Sequence, residues 1–195
     1  MRPALNLILF LVLIFVPHVL PAVENGANHG ITAASYILVE KDTFRIITGK
    51  DYHRRLPPAS TTKVMTTLIA LERLSGEEIV IPDNNVTTIP RSKMNLVPGK
   101  KYRSFDLMTG AMVESANDAA YALGSYIAGS ETAFARIMTE RARDLGATDT
   151  NFVNASGLPC DNQYSSPYDL ALIFRQACPY KRAFCRPRAD PVLHL

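Results

Sequence analysis

Apolar positions change their spacing along the chain. Residues 35–40 (Ser-Tyr-Ile-Leu-Val-Glu) and 44–48 (Phe-Arg-Ile-Ile-Thr) are β-branched and aromatic runs around Lys41-Asp42-Thr43, which predicts a β-hairpin. Residues 60–74 contain no breaker, and Val64, Met65, Leu68, Ile69, Leu71 and Leu74 occupy most sides of a helix that Gly76 ends. A helix so evenly apolar belongs in the middle of a domain. The stretch 80–104 reads as loop, with Pro82, Pro90 and the turn Pro98-Gly99.

Residues 105–113 predict a short helix, and 117–128, rich in Ala119, Ala120, Ala122 and Gly124, a tightly packed one. Ser130 is a cap for an amphipathic helix with Phe134, Ile137, Met138 and Leu145 as its stripe and Gly146 as its stop. After a loop over 151–165, Ser166-Pro167-Tyr168-Asp169 combines a cap, a proline in the first turn and an acid, predicting a helix to about Cys178. Residues 179–195 show no period and read as a tail. Two strands followed by helices predict a mixed α/β domain. A two-stranded hairpin alone is marginal, and a sheet able to cover the buried helix needs more strands.

The first 22 residues have a different purpose. Arg2 is the only charge before Glu24, and residues 5–16 are apolar except for Asn6, with Leu20-Pro21-Ala22 following. This is the layout of a secretory signal, and the apolar run is shorter than the roughly 20 residues that span a bilayer. The expected organisation is a signal at 1–22, a catalytic-type domain at 23–180 and a divergent tail at 181–195. An exported location is expected with it, in the periplasm or cell envelope. Export would permit one disulfide among Cys160, Cys178 and Cys185, and the sequence leaves the pairing open.

The chain has 195 residues, 47% of them hydrophobic and 20% charged, with net charge +3. That composition excludes disorder, and the near balance of 21 Lys+Arg against 18 Asp+Glu argues against a nucleic-acid partner. No Cys/His spacing suggests a metal, and no cofactor motif is present. The histidines are His18, His29, His53 and His194, so a Ser-His-Asp triad has little to draw on.

What remains is Ser60-Thr61-Thr62-Lys63. At a helix start, positions three apart share a face, so the Lys63 amine can reach the Ser60 hydroxyl. A desolvated lysine with cationic company loses basicity, and its neutral amine can take the serine proton. The helix N-terminus favours a developing oxyanion. Ser115-Ala116-Asn117 lies between two predicted helices. The Ser115 hydroxyl could relay a proton to a leaving amine, and the Asn117 amide could hold both Lys63 and a substrate carbonyl. Alone, each motif reads as chance spacing or a helix cap; together they match the S-x-x-K and S-x-N elements of penicillin-recognising serine enzymes.

On these motifs the chain resembles the low-molecular-mass D-alanyl-D-alanine carboxypeptidases, the S11 serine peptidases. Leu56-Pro57-Pro58-Ala59-Ser60-Thr61-Thr62-Lys63-Val64-Met65-Thr66 reads like their nucleophile segment. Met94-Asn95-Leu96-Val97-Pro98-Gly99, Asn117-Asp118-Ala119-Ala120 and Phe152-Val153-Asn154-Ala155-Ser156-Gly157-Leu158-Pro159 follow in the family's order. The similarity spans about residues 34–178, with Ala116 where the family often has Gly. It implies a β-lactamase/DD-peptidase-like α/β (α+β) fold, a helical cluster against an antiparallel sheet of which only the N-terminal hairpin is present. It implies Ser60 as acyl-ester nucleophile, Lys63 as its base, Ser115 as second catalytic hydroxyl and Asn117 as substrate-binding residue. The implied substrate is the peptidoglycan pentapeptide, and β-lactams are the implied covalent inhibitors.

One departure stands out: no Lys-Thr-Gly follows Asn117. The resemblance assigns that triplet to a later strand that binds the substrate carboxylate and supplies an oxyanion donor. Losing one such donor costs about 10²–10³ in rate. The family's other sheet strands, its C-terminal β-domain and its membrane-binding terminal helix are also unmatched. A truncated or frameshifted, impaired enzyme is therefore expected, with the missing strands expected to cost the fold itself and membrane association requiring the anchor. The competing readings are an inactive remnant, a muropeptide-binding fragment, a D,D-endopeptidase and a β-lactamase. The last would need a Glu-x-x-Leu-Asn segment that is not found after Asn117.

Overall fold

The computed structural model describes residues 31–180. The expected signal at 1–22 and the tail at 181–195, with Cys185, lie outside the described residues. β1 (Tyr36–Val39) and β2 (Ile46–Lys50) form the anticipated antiparallel hairpin, with Tyr36 opposite Lys50, Leu38 opposite Thr48 and an irregularity before Val39. Glu40 closes the turn by accepting from the Asp42 and Thr43 amides at 3.0 and 2.7 Å. A 3₁₀ turn over Ala59–Thr61 then delivers the chain to α1 (Thr62–Arg73), whose residues from Thr62 to Ala70 are all buried.

Among the described residues, helices cover α1. α2 (Ser104–Val113), α3 (Asn117–Ala128), α4 (Glu131–Asp144) and α5 (Pro167–Ala177) all pack against α1. Close approach depends on small residues. A Cβ on Gly124 would lie 2.7 Å from the Phe134 ring, and one on Gly110 would lie 2.0 Å from Met94 Sδ. The caps are those the sequence predicts. Ser130 Oγ accepts from Ala133 N at 3.1 Å, and Ser166 Oγ from Asp169 N at 3.1 Å. α4 stops where Gly146 turns to φ +84° and Ala147 N bonds back to Ala142 O.

The stretch read as loop contains a second antiparallel pair, β3 (Ile79–Val80) with β4 (Tyr102–Arg103). Glu78 secures it: the carboxylate accepts from Ser75 N at 2.8 Å, Gly76 N at 3.0 Å and Ser104 Oγ at 2.9 Å. The Ser75 amide foremost, helped by the Ser75 and Ser104 hydroxyls, holds its pKa down to about 2 against the opposing effect of burial. Two isolated bridges, Leu56–Ser165 and Asn151–Tyr164, pin the 151–165 segment beside the entry to α1. Cys160 and Cys178 are both exposed and form no disulfide among the described residues. No helix there is long and apolar enough to cross a membrane.

The buried Asp118 at the start of α3 joins the 94–96 segment to the helix cluster. Its carboxylate accepts from Met94 N at 2.9 Å, Leu96 N at 3.0 Å and Ala119 N at 2.9 Å. Asp118→Ala leaves the first two amides unpartnered and is expected to cost roughly 3 kcal/mol, since each orphaned buried donor costs about 1–3 kcal/mol. Urea unfolding monitored by circular dichroism measures it, and an unchanged midpoint contradicts this account.

Candidate active site

Ser60 sits on the 3₁₀ turn, exposed, after Ala59 in the left-handed region at φ +47°. A non-glycine residue held there costs energy and persists only where surrounding contacts demand it. One helical turn further on, Lys63 is only 2% exposed. Its Nζ lies 3.3 Å from Ser60 Oγ and donates to the Ser156 carbonyl at 2.7 Å. No charged neighbour contributes to its ionisation: burial alone lowers its pKa to about 8.

The second motif arrives from the short link between α2 and α3. Ser115 is also left-handed, at φ +55°, and its Oγ donates to Ser60 Oγ at 3.0 Å. Ser60, Lys63 and Ser115 are therefore brought together as one hydrogen-bonded group. Lys63 is at the floor and the Ser60 hydroxyl at the open side.

Asn117 departs from the sequence reading. It does not bond Lys63: its Nδ2 donates to Pro90 O at 3.1 Å and Arg91 O at 2.7 Å. With the Asn117 amide committed to the 90–92 segment, Lys63 donates instead to the Ser156 carbonyl.

The Ser156 carbonyl was invisible to motif reading because backbone atoms carry no residue signature. The surrounding side chains did leave one, in Asn154-Ala155-Ser156-Gly157. Asn154 Oδ1 accepts from Ser156 N at 3.2 Å, Gly157 N at 2.8 Å and Leu158 N at 3.2 Å. Ala155 is gripped from both sides, its carbonyl by Thr66 Oγ1 at 2.6 Å and its amide by Glu131 Oε1 at 3.1 Å. The Glu131 carboxyl is pushed above its usual range by burial, an effect the Ala155 amide opposes. No group of His, Cys, Asp and Glu among the described residues could hold a metal ion.

Comparison with known proteins gives a consistent result. The peptidase S11 family, described as D-alanyl-D-alanine carboxypeptidase, matches residues 22–185. The chain is 34% identical over 154 residues to D-alanyl-D-alanine carboxypeptidase DacF of Bacillus subtilis, covering 76% of this chain and 40% of that protein. It is similar in structure to D-alanyl-D-alanine carboxypeptidase DacD from Francisella tularensis, with TM-score 0.75 and 31% identity over 79% of this chain and 40% of that one. Penicillin binding protein 5 from Haemophilus influenzae superposes with TM-score 0.72 at 32% identity, over 77% and 46%. The chain shares the mixed α/β fold of these proteins and spans about two fifths of the length of the curated relatives it matches.

Gly157 is where the site tolerates least change. Its φ is +85°, and a Cβ would meet Ala59 O at 1.8 Å and Thr62 Oγ1 at 2.9 Å. Gly157→Ala must push the turn bearing Ser60 away from the loop over Lys63, at a cost of about 2 kcal/mol or more. A lower melting temperature is expected; a parent-like melting temperature contradicts the packing described.

Proposed function

Because the chain belongs to the peptidase S11 family of D-alanyl-D-alanine carboxypeptidases, we propose that it acts as a serine D-Ala-D-Ala carboxypeptidase on peptidoglycan stem peptides in the cell envelope. The single observation that carries this reading is a buried amine within reach of an exposed serine that a second hydroxyl also contacts. In the proposed reaction the neutral Lys63 amine accepts the Ser60 proton as Ser60 Oγ attacks the carbonyl between the two D-Ala residues. The bond to the terminal D-Ala breaks, and its amine leaves with a proton returned through Ser115 or Lys63. Water then hydrolyses the Ser60 ester and regenerates the hydroxyl. Asn117, with its Nδ2 engaged, would offer a substrate N–H only its Oδ1.

The same serine would open a β-lactam ring and retain the product as an ester. The export signal at 1–22 and the tail at 181–195 belong to this proposal as well.

The test is intact-mass analysis during incubation with a penicillin. A stoichiometric adduct that Ser60→Ala abolishes is expected. Absence of any adduct contradicts the enzymatic reading, and an adduct that survives Ser60→Ala contradicts the site. The rate should also report the amine. Because only neutral Lys63 accepts a proton, the acylation rate rises with pH, about tenfold per unit below pH 8 and levelling above it. A profile flat from about pH 6 to 9 argues against Lys63 as the base.

A further inference from the structure

We infer that Asn154 is the positioning residue for the Lys63 amine, acting through the peptide unit between Ser156 and Gly157. This inference deepens the reading of Lys63 as the base and rests on it. In a trans peptide the C=O of one residue and the N–H of the next point in opposite directions. The Gly157 N–H points at Asn154 Oδ1, 2.8 Å away. The Ser156 C=O of that same unit must then face away from Asn154, and it meets Lys63 Nζ at 2.7 Å. Asn154 thus aims a carbonyl that it does not itself bear.

The consequence for the amine is directional. A neutral amine has two N–H groups and one lone pair. With the carbonyl occupying an N–H on one side, the lone pair is left for Ser60 Oγ at 3.3 Å. The reversal of the chain is held without help from Lys63. Asn154 Nδ2 and Gln163 Nε2 both donate to Leu158 O, at 2.9 and 2.7 Å. Gln163 Oε1 accepts from the Val153 and Asn154 amides at 3.0 Å each. The loop also keeps water out, since Ala155 and Ser156 are 0% and 2% exposed. Apart from Lys63, Glu131 is the ionisable side chain hydrogen-bonded to this segment among the described residues, through the Ala155 amide.

The experiment follows the ionisation of Lys63 directly, by NMR of the full chain carrying labelled lysine, with no substrate added. Asn154→Ala frees the 156–157 peptide to rotate and admits water, so the Lys63 midpoint should rise by about one unit, a tenfold smaller neutral fraction at neutral pH. Asn154→Ser keeps one oxygen able to close a turn onto the Ser156 amide and should restore most of the shift. Ile173→Val, a conservative change in the core helix α5, should leave the midpoint unmoved while lowering the melting temperature slightly. A midpoint within about 0.3 unit of the parent in a folded Asn154→Ala chain overturns the proposal, as does a shift of equal size in Ile173→Val. If Asn154→Ala does not fold, amide exchange in the parent decides. The Gly157 amide must exchange at least about a hundredfold more slowly than in an unfolded peptide, and unprotected exchange overturns the clamp. Because no acylation is read, a chain in which Lys63 responds but Ser60 never reacts would refute the enzymatic reading and leave this one standing.

Discussion

Burying a lysine amine is the constraint around which the rest of the molecule is arranged. An ammonium group removed from water is costly unless it is partnered, and the usual response is a lowered pKa. Here the partners are a carbonyl and a hydroxyl, neither of them charged, at 2.7 and 3.3 Å from Lys63 Nζ. An acidic partner would have held the proton on the amine. Neutral acceptors allow it to leave, so the choice of partner decides whether a buried lysine is an ion or a base.

Holding that arrangement requires three chain segments to converge on a space with little room. α1 brings Ser60 and Lys63, the link before α3 brings Ser115, and the 154–158 reversal brings the Ser156 carbonyl. Each segment is bent where it arrives, with Ala59 at φ +47°, Ser115 at +55° and Gly157 at +85°. Two of these are non-glycine residues in a conformation that costs energy, and their cost is offset by the packed helices around them. Among the described residues, helices α2 to α5 pack against α1, in which Lys63 is buried.

Much of the architecture was legible because it rests on local chemistry. The hairpin, the buried α1, the small-residue α3 at 117–128 and the capped starts of α4 and α5 all follow from periodicity, caps and breakers. The pair β3–β4 was not legible, because two residues per strand produce no alternation and its stability comes from Glu78 bonds spanning α1 and α2. At the site, Ser60, Lys63 and Ser115 announce themselves as residue types with a spacing. The Ser156 carbonyl does not, because a backbone atom carries no residue type. An asparagine amide has two N–H groups to place, and here both went to carbonyls of the 90–92 segment.

The strength of the base follows from what surrounds it. Burial alone brings Lys63 to about 8, so at neutral pH about one amine in ten is free of its proton. A second cation close to the amine would lower that value further by direct repulsion, and an anionic neighbour would raise it. The described residues place neither beside Nζ. The base is therefore sensitive to whatever charge next enters the open side of the site, where Ser60 and Ser115 face solvent. An anionic group held close to Lys63 would keep the amine protonated, whereas a cation beside it would favour the neutral form.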